Sequence, residues 1–545
     1  MAKDNVLSRA AIEQLIHDEH IIVIVDNAVL RLDSWIERHP GGDKVLRHVI
    51  GRDATDEFNA YHSEESHRMM RAFQIGRVEG IWENFVPPLH GGKFRCKAEL
   101  DEAVALSGSS ASEASESDDE AGERFDLHKL IASPNKPLPR VRPADSKRPR
   151  TEEDVISDFD RRLIEKDLEA FPSLDYETQL EITQQYRALE RKLKAEGYFV
   201  CNYWNYAIEG SRYVLLGGLA ALLLHLGWYM TSAFFLGCMW HQLTFLAHDA
   251  GHLAITHHYY LDSLLGGFVA NYVGGLSIGW WKRSHNVHHI ITNDPEHDPD
   301  IQLMPFFAVS ARGLGGLYST FYERFLAYDL VARLSIRFQN FTYYPILCFG
   351  RFNLYFLSWD HILRGLGPRK GAGAWIRHYE AAGLAFFWFW YGYVVLWRCM
   401  PDMTTRLAYL LVSNIVTMPV HVQITLSHFA MSTADLGASE SFAQKMLRTT
   451  MDVDCPTWLD FFHGGLQFQA VHHLFPRMPR HNFRSVQAEV IKFCEAVGIE
   501  YRIYGFAGGS KEVIGKLGQI AKQASIMAEC NRHMVDEALG KAHRE

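Results

Sequence analysis

Histidine carries the first chemical signal in this sequence. Three dense groups lie in its second half: His248 and His252 in HDAGH, His285, His288 and His289 in HNVHH, and His472 and His473 behind Gln469 in QAVHH. On a helix, positions i, i+3 and i+4 share one face, so each group aims its side chains together. Imidazole is a good ligand for iron, copper and zinc. One such pair arises easily by chance; three groups do not. A zinc ion takes four ligands, so seven histidines and a glutamine exceed one zinc site and fit two metal ions better. A soluble di-iron bundle would supply Glu and Glu-x-x-His pairs, whereas these groups hold no carboxylate except Asp249.

A second constellation lies near the N-terminus. His39 in HPGG and His62 in DEFNAYH stand 23 positions apart, with GRDATDEF between them. Two axial imidazoles would hold a haem iron with no open position, which suits electron transfer rather than oxygen binding. The Pro-Gly-Gly turn lets the backbone bend sharply beside the ring.

The elements that must position these groups divide the chain into three. Residues 10–90 read as an α+β unit, with a strand at Ile21–Val25 and helices near Leu32–Arg38, Asp43–Val49 and Ala54–His62. Residues 98–152, which include SGSSASEASESDDEAGE and a Pro-rich basic tail, predict a disordered linker, because such composition cannot bury enough surface to offset ordering entropy. A segment of about 55 residues has an end-to-end distance near 40 Å, long enough to tether a mobile carrier. Residues 153–520 read as an all-α membrane domain. It opens on two amphipathic helices split at Pro172. Four apolar runs follow at Tyr213–Met230, Ser232–Leu246, Ala381–Met400 and Leu407–Leu426. Each approaches the roughly 20 residues that cross a bilayer, which predicts about four transmembrane helices in two hairpins. The Gly-broken segment 261–281 is expected to be interfacial or re-entrant rather than a span.

Hairpin parity then places all three histidine groups on one side of the membrane, with the stretch 282–378, read as polar, on that side too. Lys282 and Arg283 agree with a cytosolic assignment. His428, just past the last apolar run, lands there as well and is expected to be an eighth histidine ligand. The result is a cytosolic histidine-rich cap.

Composition bounds the alternatives. A net charge of −9 gives no reason to expect a nucleic-acid partner. Eight cysteines are scattered with no CxxC pair, against a zinc ribbon, an iron–sulfur cluster or a disulfide framework. The charged N-terminus shows no cleaved signal peptide, and the C-terminal GKAHRE shows no retention signal.

The N-terminal motifs resemble the cytochrome b5 family: HPGG at 39–42, GRDAT at 51–55, Phe58 and His62 match its signature in order and spacing. The resemblance implies haem b with His39 and His62 as axial ligands. The three later groups resemble the membrane fatty-acyl and sphingolipid desaturases, and in particular the front-end branch, which carries an N-terminal cytochrome b5 domain and places Gln at the start of the third box, as Gln469 does here. NDPEHDPDIQLMP and VHHLFPRMPRHNFR are most similar to fungal delta-8 sphingolipid desaturases. That resemblance implies O2-dependent insertion of a double bond into the long-chain base of a sphingolipid or ceramide. It implies two non-haem iron ions at His248, His252, His285, His288, His289, His428, His472 and His473, with Gln469 beside them. Electrons would come from NADH through a cytochrome b5 reductase, and the protein would sit among membrane lipid in the endoplasmic reticulum, its haem unit and histidines facing the cytosol. A front-end fatty acyl desaturase of delta-5 or delta-6 type, or a lipid hydroxylase, would use the same metals. A membrane-anchored electron-carrier cytochrome would leave the three histidine groups unexplained, and a zinc-dependent membrane hydrolase would need no O2.

Overall fold

The computed structural model describes residues 4–84 and 152–538, and its first unit is built on four strands, β1 (Val6–Leu7), β2 (Ile22–Val25), β3 (Ala28–Arg31) and β4 (Gln74–Val78). Their spatial order is β1-β4-β3-β2, with β1 parallel to β4 and the other pairs antiparallel. The β2–β3 hairpin turns on Asp26 and Asn27 at φ 48° and 61°, the left-handed pair that a two-residue hairpin favours. All four residues of β2 are buried, so both faces of the sheet are covered. Ile22 and Ile24 pack with Ile12 and Ile16 of helix Arg9–His17, which Ser8 caps by accepting from the Ala11 amide. Val23 and Val25 pack on the other face with Leu30 and Leu32. Short helices at Asp43–Arg47, Thr55–Tyr61 and Glu64–Met70 surround the two histidines, close to where the sequence placed them.

The expected linker lies, but for its last residue, outside the described residues. Helices Glu152–Ala170 and Tyr176–Ala195 meet around Pro172 as expected. The second is integral to the cap: Ile182, Tyr186, Leu189 and Leu193 join a core with Val471, Leu474, Val486 and Val490.

The first apolar pair forms a helical hairpin, Tyr203–His225 and Tyr229–Gly251, which turns at Gly227 (φ 77°). The second pair runs from Ile376–Phe387 through π-helical turns at Trp388–Cys399, reverses at Asp402, and returns as Met403–Ile415 and Met418–Phe429. Asp402 starts the return helix by accepting from the Thr405 amide at 2.9 Å. Among the described residues, two helices are long and apolar enough to cross a membrane, Tyr203–His225 and Met403–Phe429. The expected count of four is therefore met at two. Helix Tyr229–Gly251 spends its inner face on His241, Gln242, His248 and Asp249, and the third run is divided between two helical geometries. Large apolar side chains nonetheless point outward from both hairpins, including Val214, Leu222, Phe389 and Trp397.

The stretch 282–378 is less polar than its sequence suggested. Beyond the histidine helix it holds three whole α-helices, Leu330–Arg337, Gln339–Leu347 and Gly350–Arg364, which expose Leu330, Phe341, Phe356 and Leu363. The Gly-broken segment forms helix Tyr259–Gly267 and a π-helical turn at Phe268–Val273.

Candidate metal and haem sites

Each histidine group sits at the end of an element that aims it inward. Helix Tyr229–Gly251 delivers His248 in its last turn and His252 at its C-cap. Helix Ile278–Ile290 starts at Ser277, whose hydroxyl accepts from the Trp280 amide, and buries His285, His288 and His289. Helix Met418–Phe429 ends on His428, and the short helix Gln469–Leu474 presents His472 and His473. Gly251 lets the first two helices close: a Cβ there would collide with the ring of Trp281. That indole stacks on His285 at 4.4 Å and approaches His248 and His252 at 5.2 and 5.3 Å.

Seven of the eight imidazoles converge into two groups, and a third group, His285, His288 and Asp300, shares a member with each. His248, His252, His285 and His472 bring ligand atoms within 4.8 Å of one another, and so do His288, His428 and His473. His289 lies between them, with Nε2 3.0 Å from His285 Nε2 and its ring 4.1 Å from that of His473 and 4.7 Å from that of His472. Gln469 is buried at the first position of the third-box helix. His252 Nε2, His289 Nδ1, His473 Nε2 and both nitrogens of His472 are buried with no hydrogen-bond partner among the described residues. Desolvated nitrogens without partners are costly, and metal coordination is the interaction that this donor set fits.

A carboxylate shell that no periodic pattern in the sequence announces supports the group. His288 Nδ1 donates to Asp298 at 2.8 Å, and His285 Nδ1 lies 3.5 Å from Asp300. Burial disfavours charge on His288, but Asp298 and Asp300 outweigh it and push its pKa up to about 8, whereas burial leaves His285 at about 4. Asp298 also accepts from the Asn293 amide, and the Asn293 side chain donates to the carbonyls of His428 and Thr449. One loop thus ties the second histidine helix to His428. Outer partners of this kind fix imidazole tautomer and orientation. Replacing Asp298 with Asn is expected to lower non-haem metal affinity about 10- to 100-fold. Iron retained after dialysis against a graded chelator series checks this, and retention equal to the parent protein would remove Asp298 from that role.

Behind the first box, Arg480 donates to Asp249, Glu209 and the Phe245 carbonyl, and His481 pairs with Glu209 at 2.8 Å. These buried charges join the segment after the third box to the first histidine helix. Their partners lie more than 200 positions away in sequence, so no local pattern announces them.

In the N-terminal unit, His39 and His62 face each other with ring centroids 6.0 Å apart. His39 Nδ1 donates to the Gly42 carbonyl at 2.8 Å and His62 Nδ1 to that of Phe58 at 3.0 Å, which leaves both Nε2 atoms for a metal. With metal–imidazole bonds of about 2 Å, that separation fits one iron between the rings. Burial holds both imidazoles neutral, His62 down to about 3, as ligation requires.

Comparison with known proteins agrees with this arrangement. Residues 224–505 match the fatty acid desaturase family, and residues 8–79 match the cytochrome b5-like heme/steroid binding domain. A protein of Emericella nidulans named delta 8-(E)-sphingolipid desaturase is 52% identical, covering 99% of each chain. One of Candida albicans with the same name is 45% identical, covering 97% of this chain and 98% of its own. An acyl-lipid (9-3)-desaturase of Borago officinalis is 37% identical over 57% of this chain and 68% of its own. The chain belongs to the fatty acid desaturase family, as an oxidoreductase with a cytochrome b5-like haem-binding domain fused at its N-terminus.

Proposed function

We propose that this protein is a delta-8 sphingolipid desaturase, which inserts an (E) double bond into the long-chain base of ceramide-type lipids and receives its electrons through its own haem domain. The supporting observation is near-complete alignment, at 45–52% identity, with proteins that carry that name. His248, His252, His285 and His472 hold one non-haem iron, and His288, His428 and His473 hold the other. His289 lies at the boundary and Gln469 beside it. His39 and His62 hold haem b. We assign residues 10–90 to the haem domain and 153–520 to the desaturase domain. The outward apolar side chains of both hairpins support four membrane-crossing helices, with the histidine cap on the cytosolic side of the endoplasmic reticulum.

Removal of hydrogen from an unactivated methylene lies beyond acid–base side chains, and the bound metals supply it with O2 while the haem supplies single electrons. The chain's part is positioning. Trp281 packs over one edge of the four-imidazole group and helps to keep water out. Asp298 and Asp300 hold the second-box imidazoles in register. The outer apolar faces of both hairpins and of Leu330–Arg364 keep the cap at the lipid surface, where the substrate's chain arrives. A cytochrome b5 reductase charged by NADH is the expected electron source.

Expression in a host that lacks this activity, followed by lipid analysis, tests the assignment. The expected product is a long-chain base of ceramide that has lost two hydrogens at carbons 8 and 9. A new double bond confined to fatty acyl chains would replace the substrate and keep the reaction. A hydroxylated product would replace the reaction.

A further inference from the structure

The second-box helix has two working faces. His285, His288 and His289 point inward to the metal groups, while Arg283, Asn286, Val287 and Ile290 point to the haem domain. Val287, Ile290 and Ile291 are buried in one apolar cluster with Val23, Val25 and Leu32 of the haem unit, to which Phe58 also packs. Around this cluster, charges alternate between the two domains. Asp43 faces Arg283 at 3.6 Å, Lys44 pairs with Glu323 and donates to the Thr320 carbonyl, Asp56 meets Arg187 at 2.5 Å, and Glu37 meets Lys370 at 2.5 Å. Lys44 and Asp56 are more than nine-tenths buried, which marks a fitted seat rather than a glancing contact.

Both segments that carry the axial histidines reach this helix. Asn286 Nδ2 lies 3.4 Å from the Gly41 carbonyl, two residues beyond His39. A Cβ at Gly41 would stand 2.8 Å from the His39 ring and 3.1 Å from Asn286, so glycine there lets ring and helix close on the same loop. Gly42, at φ 91°, lies beside the Arg283 side chain, where a Cβ would make ordinary contact at 3.4 Å. On the other side, Tyr61, the neighbour of His62, sets its ring edge-on to His289 at 5.8 Å between centroids.

We propose that the HNVHH helix is the seat on which the fused haem domain docks to deliver electrons, with Asn286 and Tyr61 as the positioning residues that join the two axial-histidine segments to the metal-side histidines. This rests on the desaturase function above. Each docked passage oxidises the haem from ferrous to ferric and reduces the histidine-held centre by one electron. Two passages and two protons, with the two hydrogens taken from the lipid, reduce O2 to two waters; NADH through its reductase restores the ferrous haem.

The full-length holoenzyme in membranes tests the seat. A zero-length carbodiimide should couple Glu37 to Lys370 within one chain, mapped by mass spectrometry. The yield should collapse in 1 M salt, where screening acts within about 3 Å. Arg283→Glu, which sets like charges against Asp43, should lower the cross-link and slow haem reoxidation by O2 and substrate about tenfold or more. The double variant Asp43→Arg/Arg283→Glu should restore both. Asn286→Leu should keep the cross-link but slow reoxidation about 10- to 100-fold. Its turnover should recover when a small diffusible photoreductant feeds the metals directly, and Asn286→Gln should recover most of the rate. Absence of the cross-link in the parent protein, or reoxidation indifferent to Arg283→Glu and Asn286→Leu, overturns the seat. Sphingolipid desaturation without the cross-link would fail the seat alone, and the cross-link without any lipid product would fail the function alone.

Discussion

Replacing His472 by alanine is expected to abolish desaturation and strip non-haem iron while haem remains fully loaded. His472 is almost completely buried, and its ring lies 4.5 Å from that of His248 and 4.7 Å from those of His252 and His289. No group among the described residues satisfies either of its nitrogens, so the side chain has no other polar task there. It supplies one of the four imidazoles in the first candidate metal group and borders His289 between the groups. Loss of an outer partner costs about 10- to 100-fold in metal affinity or activity, and loss of a ligand should exceed the upper end of that range. Haem binding stands apart, since His39 and His62 are held by the carbonyls of their own domain. The check is paired: non-haem iron by chelator assay and haem by its absorbance, on the same preparation, beside product formation. Parent-level iron and turnover in the variant would take His472 out of the centre.

The histidine groups were legible because a helix has a period. HDAGH and HNVHH repeat at three and four positions, and the structure sets them on the inner ends of two helices, as the spacing demands. His428 was legible for a different reason: hairpin parity returned the chain to the same side, and the structure places that ring 4.6 Å from His288. The carboxylate shell followed neither rule. Asp298 and Asp300 reach the imidazoles through the irregular turn after Ile290, and a turn has no period to read. Arg480 is bound by partners at positions 209, 245 and 249, whose proximity is created only by the packed fold. Membrane crossing was legible in part. Helix Tyr203–His225 faces outward along most of its length and reads as a span, whereas Tyr229–Gly251 must also carry ligands and inner polar groups, which dilutes its apolar signal.

The seat of the haem domain was least legible of all. The sequence suggested a tethered carrier, and a tether says only that two units meet. What they meet through is the outer face of HNVHH, whose residues looked like spacers between ligands. Asn286 and Val287 fill the positions that face away from the histidine groups, and a helix that must bury both faces has no solvent side left. This explains why a polar, ligand-rich helix carries Val287 and Ile290 in its last turns: they belong to the haem domain's core, not to the metal site.

His39→Ala carries the complementary expectation: haem and physiological turnover lost, non-haem iron kept. His39 is buried, and its Nδ1 is fixed by Gly42 within its own loop, so Nε2 is left for the proposed ligation opposite His62 across the 6.0 Å between the rings. On the proposed assignment alanine would remove one of two axial ligands, and a site built for two imidazoles does not hold haem iron in the same spin state or potential with one. The loss should appear first in the spectrum, as a vanished or shifted haem band, and then as a fall in NADH-driven desaturation beyond about 100-fold, the range that separates a ligand from its supports. The eight metal-side histidines do not depend on His39 for any hydrogen bond, so the two metal groups should load as before. A small reductant that bypasses the haem should therefore recover part of the turnover in His39→Ala and none in His472→Ala. That contrast places the two histidines on successive steps of one electron path. Undiminished NADH-driven activity in His39→Ala would mean that electrons reach the metals by another carrier, and the fused domain would then need a different explanation.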